Sequence, residues 1–525
     1  MNYKALRSAR IVVASLSLLL IALAFFDFLE LMPDKLIKGS VWLQFVPSVL
    51  LFSKVFTLSS LGFAVVLLLT LLFGRVYCSA FCPLGILQDV ILRIAKRFKK
   101  IRFKHQKAIG WVRNFLLLFT IITILSGTTL ILNLLDPYSL FGRIFSDLFR
   151  PILMLINNGM ASVFERIEVY TFYDVDIKLL NWVLYLTPVM FLYLIIHLTI
   201  THGRLYCNTI CPVGTLLGYL SRYGLYKISI NPSACTDCKM CERNCKAECI
   251  DLESQTVDNS RCISCFNCLT SCKFSAIDYT SAKRAPAGRP EKTPGEEVDT
   301  SRRKALGVLF GTALFPSGAL AQEVEVEPDT ATVPVVRKQY VTPPGSGDVQ
   351  EFLTKCTACH LCVSACPTQV IQPSRNEFGW KHLMQVRMDF HTGFCNYECT
   401  RCTEICPTGA LTSLPLEDKK LTQLGKAKFV EDNCIVKTEG TDCGACSEHC
   451  PTKAVSMVPY EGSLKIPEMD DSACIGCGAC EYACPTTPYK AIYVKGNAVH
   501  VLADKPKEEK AKKTEFEGDF PFLMF

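Results

Sequence analysis

Apolar residues are concentrated in the first 200 positions of the chain, in four long runs separated by polar segments. The runs are 11–28, 55–73, 114–135 and 182–200. Each is close to the ~20 residues that a helix needs to cross a bilayer. The first run does not read as a signal peptide, because more runs follow it and no small-residue cleavage site closes it. The pattern predicts a four-span α-helical membrane domain over 1–222.

The placement of lysine and arginine predicts the orientation of these spans. The N-terminus carries Lys4, Arg7 and Arg10, and segment 93–107 is basic with no acidic residue. Both are expected on the cytoplasmic side of a bacterial inner membrane, with the loop 136–180 in the periplasm. The net charge of +7 is then an orientation signal and does not indicate nucleic-acid binding.

The polar remainder of the chain is divided by a linker and a short apolar run. We expect a cytoplasmic domain over 223–280, a linker over 281–300, an exported domain over 323–503 and a disordered charged tail over 504–525. Segment 301–322 begins with Arg302 and Arg303 and continues into apolar residues, as in a twin-arginine export signal or a short fifth span. Both interpretations send the last domain outward, and we favour an uncut anchor.

Twenty-four of the 29 cysteines form six runs of four. Two runs lie in 223–280: Cys235, Cys238, Cys241, Cys245 and Cys262, Cys265, Cys268, Cys272. Four lie in 323–503: Cys356, Cys359, Cys362, Cys366; Cys395, Cys399, Cys402, Cys406; Cys434, Cys443, Cys446, Cys450; and Cys474, Cys477, Cys480, Cys484. C-x2-C-x2-C-x3-C is the ferredoxin pattern, in which three cysteines hold one [4Fe–4S] cube and the fourth holds its neighbour. The runs predict six cubes in two α+β ferredoxin-like domains.

Other interpretations explain fewer cysteines. A disulfide framework suits short secreted domains, and structural zinc needs C-x2-C pairs. The string Cys356 to His360 matches a haem attachment motif, but it continues into Cys362 and Cys366, so His360 is expected to be a bystander. In the first block, Cys272 completes the Cys235 set and Cys245 completes the Cys262 set, although Cys249 could replace Cys245 as a ligand.

Two further cysteine pairs lie in repeated G-R-x-Y-C-x3-C-P-x-G motifs, 74–85 and 203–214, at the cytoplasmic ends of the second and fourth runs. The pairs are Cys78 with Cys82 and Cys207 with Cys211. Because residues four apart share one helix face, the pairs could converge as a metal or cluster site, a redox disulfide or a structural elbow. We favour a redox or metal function. His197 and His202 lie nearby and are expected to pack, with a ligand or quinone role as the alternative.

These motifs, the four spans and the following two-cluster block resemble the NapH-type membrane iron–sulfur proteins, with NosR and CcoG/RdxA as relatives. Segment 135–141 is similar to that family's loop after the third span. The exported four-cluster domain resembles the NapG-type periplasmic ferredoxin subunit. The flavin-binding front domain of NosR and the all-β tail of CcoG have no counterpart here. The resemblance also favours a nested pairing of the outer runs, first with fourth around second and third, over adjacent pairing.

The resemblance implies a quinol dehydrogenase that passes electrons from menaquinol or ubiquinol to a periplasmic reductase or cytochrome. The partners would be the membrane, the quinone pool and other members of a respiratory complex. One alternative is a quinone-independent conduit from a cytoplasmic donor. The other is a metal-reducing or assembly factor for a metalloenzyme, in which the thiols at the membrane edge handle the metal.

Overall fold

The computed structural model describes residues 2–54, 56, 60–170, 172–178, 182–281, 333–335, 337 and 339–505. The expectations for segment 301–322 lie outside this part of the chain. So do those for nearly all of linker 281–300 and tail 504–525.

The first 222 residues form a bundle of helices. They are α1 (Tyr3–Phe26), α2 (Asp34–Val41), α3 (Phe45–Lys54), α4 (Gly62–Phe73), α5 (Tyr77–Ala80), α6 (Pro83–Phe98), α7 (Gly110–Leu125), α8 (Leu130–Leu135), α9 (Pro137–Arg143), a π-helix (Ile144–Phe149), α10 (Arg150–Glu165), α11 (Trp182–His202), a second π-helix (Tyr206–Ile210) and α12 (Pro212–Ser221). Of the helices described, α1 and α11 are long and apolar enough to cross a membrane.

The expected four full-length spans are not found in the described residues. In the described part of the chain, the second predicted span contains the helix Gly62–Phe73, and the third is divided between α7 and α8. The division falls at Gly127, whose φ of +78° lies in the left-handed region and ends the helical hydrogen-bond ladder. Apolar length alone therefore overestimated the number of continuous helices.

Helices α2 and α3 form a bent pair with an angle of 106° between them. At the bend, the side-chain amide of Gln44 donates to the carbonyl of Phe81 over 3.3 Å. The far end of α3 contacts the last domain, where Lys54 Nζ donates to the carbonyl of Gly409 over 3.0 Å. Helix α2 packs on the same domain. Since both ends meet one domain, the pair has the geometry of a re-entrant hairpin and not of a span.

The inner block follows the bundle. It contains β1 (Tyr226–Ile230), α13 (Met240–Asn244), β2 (Ile250–Asp251), β3 (Thr256–Val257), α14 (Asn267–Ser271) and β4 (Ile277–Ser281). β1 pairs antiparallel with β4, and β2 with β3. In β1, Ile228 and Ile230 alternate with less buried residues, so one face of the sheet covers the cysteine loops.

The outer block covers the rest of the described chain. Its elements are α15 (Val349–Lys355), α16 (Leu361–Ser364), β5 (Ile371–Pro373), a 3₁₀ turn (Trp380–His382), β6 (Val386–Met388), α17 (Arg401–Ile405), α18 (Leu416–Leu421), β7 (Thr422–Phe429), a 3₁₀ turn (Glu431–Asn433), α19 (Ile435–Thr438), α20 (Ala445–Glu448), β8 (Val455–Pro459), β9 (Lys465–Met469), α21 (Ala479–Ala483) and β10 (Ile492–Leu502). β5 pairs with β6, β7 with β10 and β8 with β9, all antiparallel.

The two blocks dock at opposite ends of α1. At its start, the hydroxyl of Tyr3 donates to Asp278 of the inner block over 3.1 Å. Just after its end, Asp27 forms a salt bridge of 2.5 Å with Arg401 of the outer block. One apolar helix, α1, therefore separates the two cysteine-rich blocks.

Candidate iron–sulfur and thiol sites

Four of the six cysteine loops share an unusual backbone. In each, the middle cysteine stands between two residues with positive φ. The flanking pairs are Asp237 and Lys239, Ser264 and Phe266, Ala358 and His360, and Gly476 and Gly478. A non-glycine residue in this region costs about 1–2 kcal/mol, so three loops accept a strain that only the fourth avoids with glycine. The same strained backbone recurs around four cysteines, which is expected if each of these loops wraps around a bound cofactor.

In the inner block, the four-cysteine sets agree with the sequence expectation. Cys235, Cys238, Cys241 and Cys272 line one small cavity. Cys268 has Cys262, Cys265 and Cys245 as its nearest thiols.

Cys249 lies behind this second set and is 1% exposed. Its sulfur is 3.6 Å from that of Cys245, and it also contacts Cys262. The contact with Cys249 lowers the pKa of the Cys245 thiol to about 6. The ferredoxin spacing predicts Cys245 as the ligand, and Cys249 would then be the buried neighbour that hydrogen-bonds to its sulfur.

In the outer block, neighbouring runs exchange their fourth cysteines. Cys362 has Cys356, Cys359 and Cys406 around it, and Cys366 shares a cavity with Cys395, Cys399 and Cys402. Cys484 shares a cavity with Cys434, Cys443 and Cys446, and Cys480 has Cys474, Cys477 and Cys450 around it. The expected nested order is therefore wrong. Adjacent runs pair because β7 and β10 fold the third and fourth runs together, which keeps each exchange local.

A backbone hydrogen bond joins the two outer pairs. The amide of Cys395 donates to the carbonyl of Cys477 over 2.9 Å. If each set is named by its first cysteine, the four outer sets follow one another in space in the order Cys356, Cys395, Cys474 and Cys434.

These residues fit [4Fe–4S] clusters. Each set offers four thiol ligands of the type that iron–sulfur clusters use, three of the sets enclose cavities lined by their own cysteines, and the loops have the backbone strain described above. When bound, such a cluster takes up and releases one electron at a time. Among the described residues, no three His, Cys, Asp or Glu side chains are grouped so that they could hold a single metal ion.

The two motif pairs of the membrane edge converge in the centre of the bundle. Cys78, Cys82, Cys207 and Cys211 are each no more than 4% exposed, and they lie in one apolar cluster. Arg75 Nη2 lies 3.8 Å from the sulfur of Cys78, and Arg204 Nη1 lies 3.8 Å from that of Cys207. We call these four thiols the central thiol site.

The arginines also cross between the two motifs. Arg75 donates to the carbonyl of Cys207 over 2.9 Å, and Arg204 donates to that of Cys78 over 3.2 Å. The last glycine of each motif makes room for this exchange. A Cβ at Gly85 would lie 2.4 Å from the Cys78 carbonyl, and one at Gly214 would lie 2.1 Å from that of Cys207. The glycines of the motif are thus explained by a pseudo-twofold contact that sequence reasoning missed.

The charges around the central thiol site do not balance. Arg204 shares Asp89 with Arg10 and Lys246. Burial would raise the pKa of Asp89, but Arg204 and Lys246 hold it well below its usual range. Arg75 is fully buried and, in the part of the chain that the structure describes, forms no salt bridge. Because a buried unpaired charge is costly, this excess of positive charge favours an anionic group among the thiols.

The same arginines connect the central thiol site to the inner block. The backbone amide of Arg204 donates to the carbonyl of Lys246 over 2.8 Å, and Arg75 Nη1 donates to the carbonyl of Ser260 over 3.2 Å. Lys246 follows the ligand Cys245 directly. Only this arginine layer therefore stands between the Cys262 set and the central thiol site.

On the other side, α9 and the first π-helix separate the central thiol site from the outer block. The hydroxyl of Tyr206 donates to the carbonyl of Leu135, just before α9, over 2.9 Å. A Cβ at Gly142 would lie 2.2 Å from the carbonyl of Cys359, so the helix touches the first outer loop. His360 is not the expected bystander, because its Nδ1 is 2.8 Å from the buried carboxylate of Asp147 and fixes this loop to the bundle.

Of the remaining candidates, His197 stacks on Tyr193, with ring centroids 6.1 Å apart. This contact agrees with a packing role.

Comparison with known families extends the iron–sulfur assignment. A family described as a 4Fe-4S binding domain matches residues 55–102 and 183–231, which contain both cysteine pairs of the central thiol site. Three families described as 4Fe-4S dicluster domains match residues 258–370, 355–411 and 441–487. The range 355–411 encloses the first two outer runs, and 441–487 contains the last two apart from Cys434.

Curated relatives agree. The methylamine utilization ferredoxin-type protein MauM of Methylobacillus flagellatus is 30% identical over 181 residues, which are 33% of this chain and 68% of the relative. NapF of Escherichia coli, a ferredoxin-type protein, is 34% identical over 67 residues, 13% of this chain and 36% of NapF.

The putative electron transport protein YccM of Escherichia coli is 25% identical over 189 residues, 34% of this chain and 43% of YccM. The chain thus spans between about a third and two thirds of the lengths of these three relatives. The NapH–NapG fusion that the motifs resemble is not among these matches. The chain is a multi-cluster iron–sulfur electron-transfer protein and belongs to the family of ferredoxin-type proteins that includes MauM.

Proposed function

We propose that this protein is a membrane-embedded electron relay that draws electrons from quinol and delivers them, through the outer block, to an acceptor outside the membrane. The inner block joins the same line through the central thiol site. The observation that supports the proposal is the order of the cysteine sets, with the inner block at the start of α1, the central thiols in the bundle and the outer block at the other end of α1. A line of one-electron carriers can accept the two electrons of a donor such as quinol one at a time.

The central thiol site would link the inner block to the outer block. Cys78, Cys82, Cys207 and Cys211 would hold a seventh cluster, whose negative charge the unpaired Arg75 would balance. The residues of the chain provide the burial, the hydrogen bonds to sulfur and the local charge that set the reduction potential there. The outer acceptor is then a reductase or cytochrome that docks near the Cys434 set.

A second candidate, the quinone-independent conduit, uses the same line without quinol. The direct contact of Arg204 and Arg75 with the inner block favours it, since electrons from an inner donor would meet the central thiol site first. The two candidates differ only in where electrons come in.

One experiment separates the candidates. Purified, cluster-loaded protein is mixed anaerobically with a reduced menaquinone analogue, and the bleaching of cluster absorbance is followed. The proposal predicts reduction of clusters in both blocks. Reduction by an inner-side donor with none by the quinol analogue would reject the quinol source and leave the conduit.

A further inference from the structure

A cavity of about 470 Å³ lies between the re-entrant hairpin and the outer block. Its walls include Val41, Trp42 and Leu51 from the hairpin, and Ile405 and Leu411 from the outer block. The volume is in the range of small-molecule sites, about 300–1,000 Å³. Part of its apolar wall belongs to the re-entrant hairpin of the helical bundle. The cavity therefore suits the apolar ring and tail of a lipid-soluble molecule.

A cluster ligand borders this cavity. Cys406, the fourth thiol of the first outer set, and Pro407 are part of its wall. The neighbouring loop is held against the hairpin, because a Cβ at Gly409 would lie 2.8 Å from the side chain of Leu51. A molecule in the cavity would thus be in contact with the redox line at the set nearest the bundle.

Polar groups stand at the rim. Lys54 Nζ, which bonds to the Gly409 carbonyl, also donates to the hydroxyl of Thr412 over 2.7 Å. Lys38, Thr412 and Ser413 line the cavity and are exposed, so the rim opens to water. The ammonium group of Lys54 is held in place beside the apolar walls. It could donate a hydrogen bond to one of the two ring oxygens of a quinol and so orient the ring.

A second cavity of about 320 Å³ lies at the inner end of the bundle and is the competing location. Six of its fourteen lining residues are charged, among them Arg7, Arg10, Asp89 and Lys96, whereas three of the fifteen that line the outer cavity are charged. Transfer of an apolar ring and tail into such surroundings gains little, because the polar groups there lose water without new partners. The outer cavity is therefore the better fit.

Resting on the proposed quinol source, we propose that quinol is oxidised in the outer cavity, between the re-entrant hairpin and the Cys406 loop. The two O–H bonds of the quinol break and two ring C=O bonds form. Two protons pass to water through the rim at Lys38 and Thr412. Two electrons pass singly to oxidised [4Fe–4S] clusters, one held by Cys356, Cys359, Cys362 and Cys406, and the next held by Cys366, Cys395, Cys399 and Cys402.

The first test is photolabelling of the loaded protein with an azido-substituted naphthoquinone, followed by peptide mass spectrometry. This readout does not depend on activity. The proposal predicts label in 38–54 or 403–413. Label confined to 7–15 or 86–96 would overturn it.

The second test compares two matched variants. Thr412→Trp narrows the outer cavity from an exposed loop position, and Ser15→Trp does the same in the inner cavity from an exposed helix position. We expect Thr412→Trp to lose labelling and quinol-driven cluster reduction, while Ser15→Trp keeps both and dithionite still reduces both variants fully. This location is wrong if Ser15→Trp loses labelling and quinol-driven reduction while Thr412→Trp keeps them. It is also wrong if Thr412→Trp is labelled and reduced by quinol as the unaltered protein is. In both cases quinol remains the source of electrons. If quinol fails to reduce the unaltered protein, the proposed function itself fails.

Discussion

The two halves of the central thiol site have the same motif but different electrostatic surroundings. Arg204 forms a salt bridge with Asp89, while Arg75, its counterpart, bonds to the side-chain oxygen of Asn208 over 2.8 Å and to backbone carbonyls. Gly218 stands where the second motif would have an aspartate matching Asp89, and a Cβ there would lie 2.1 Å from Arg113. The comparison teaches that the repeated motif supplies the same thiols twice, while only one of the two motif arginines has a carboxylate partner among the described residues.

The largest effect is expected from removal of the thiols. The double variant Cys78→Ser and Cys207→Ser should bind about 24 iron atoms per chain, where the unaltered protein binds about 28. Iron and sulfide analysis with electron paramagnetic resonance checks this difference. Cys249→Ser, which removes a buried thiol that is no ligand, is the control and should leave the iron count unchanged. Equal iron in the double variant and the unaltered protein would mean that the central thiols hold no cluster.

The next largest effect separates the two arginines. Arg204→Gln leaves Asp89 without its closest guanidinium and should lower the free energy of unfolding by about 3–5 kcal/mol, with or without clusters. Arg75→Gln should destabilise the loaded protein more than the cluster-free protein, because without an anion the buried charge is itself a cost that offsets the lost hydrogen bonds. Thermal unfolding of loaded and cluster-free samples measures both. If Arg75→Gln destabilises the two samples equally, Arg75 has a structural role and balances no cluster.

The motif glycines should give a smaller, symmetric effect. Gly85→Ala and Gly214→Ala each place a methyl group against a cysteine carbonyl and should cost about 1–3 kcal/mol of unfolding free energy. Gly159 in α10 has open space around its Cβ position, so Gly159→Ala should instead stabilise by about 0.5–1 kcal/mol. Denaturant titrations in detergent provide the values. If alanine at Gly85 or Gly214 leaves the free energy of unfolding unchanged, the two motifs are not closely packed at that glycine.

The smallest effect concerns the residue after each first motif cysteine. Asn208 accepts from Arg75 and donates to the carbonyl of Ala247 over 3.2 Å, so Asn208→Ala should cost about 1–3 kcal/mol by leaving buried groups unpaired. The side-chain hydroxyl of its counterpart Ser79 donates to the carbonyl of Val76 in the same turn, so Ser79→Ala should be nearly neutral. The same titration compares them. Equal costs would contradict the asymmetry.

Spacing alone predicted the local chemistry but not how distant segments meet. The spacing of the cysteines predicted the two inner sets, because the three close cysteines and the fourth cysteine from the neighbouring run lie within one short block. The outer pairing was predicted wrongly, since it depends on which strands close together, and β7 and β10 are separated by more than sixty residues of loops and helices. Hydropathy found α1 and α11 but could not see the bend at Gln44 that turns an apolar stretch into a hairpin.

The roles of three residues could not be predicted from their positions in the sequence. His360 was assigned no role because its partner Asp147 lies more than two hundred positions away. The arginines of the two motifs were visible as repeats, yet their exchange across the pseudo-twofold axis could be inferred only once both motifs were placed together.

The most direct test of the relay follows electrons across a sealed membrane. Loaded protein is reconstituted into vesicles with the inner block outside, a membrane-impermeant acceptor is trapped within, and an impermeant reductant is added to the medium. We predict that the trapped acceptor is reduced by vesicles with the unaltered protein, and that Cys78→Ser with Cys207→Ser abolishes this while the inner clusters still bleach. Equal transfer by the double variant would contradict the central thiol site as the link between the two blocks.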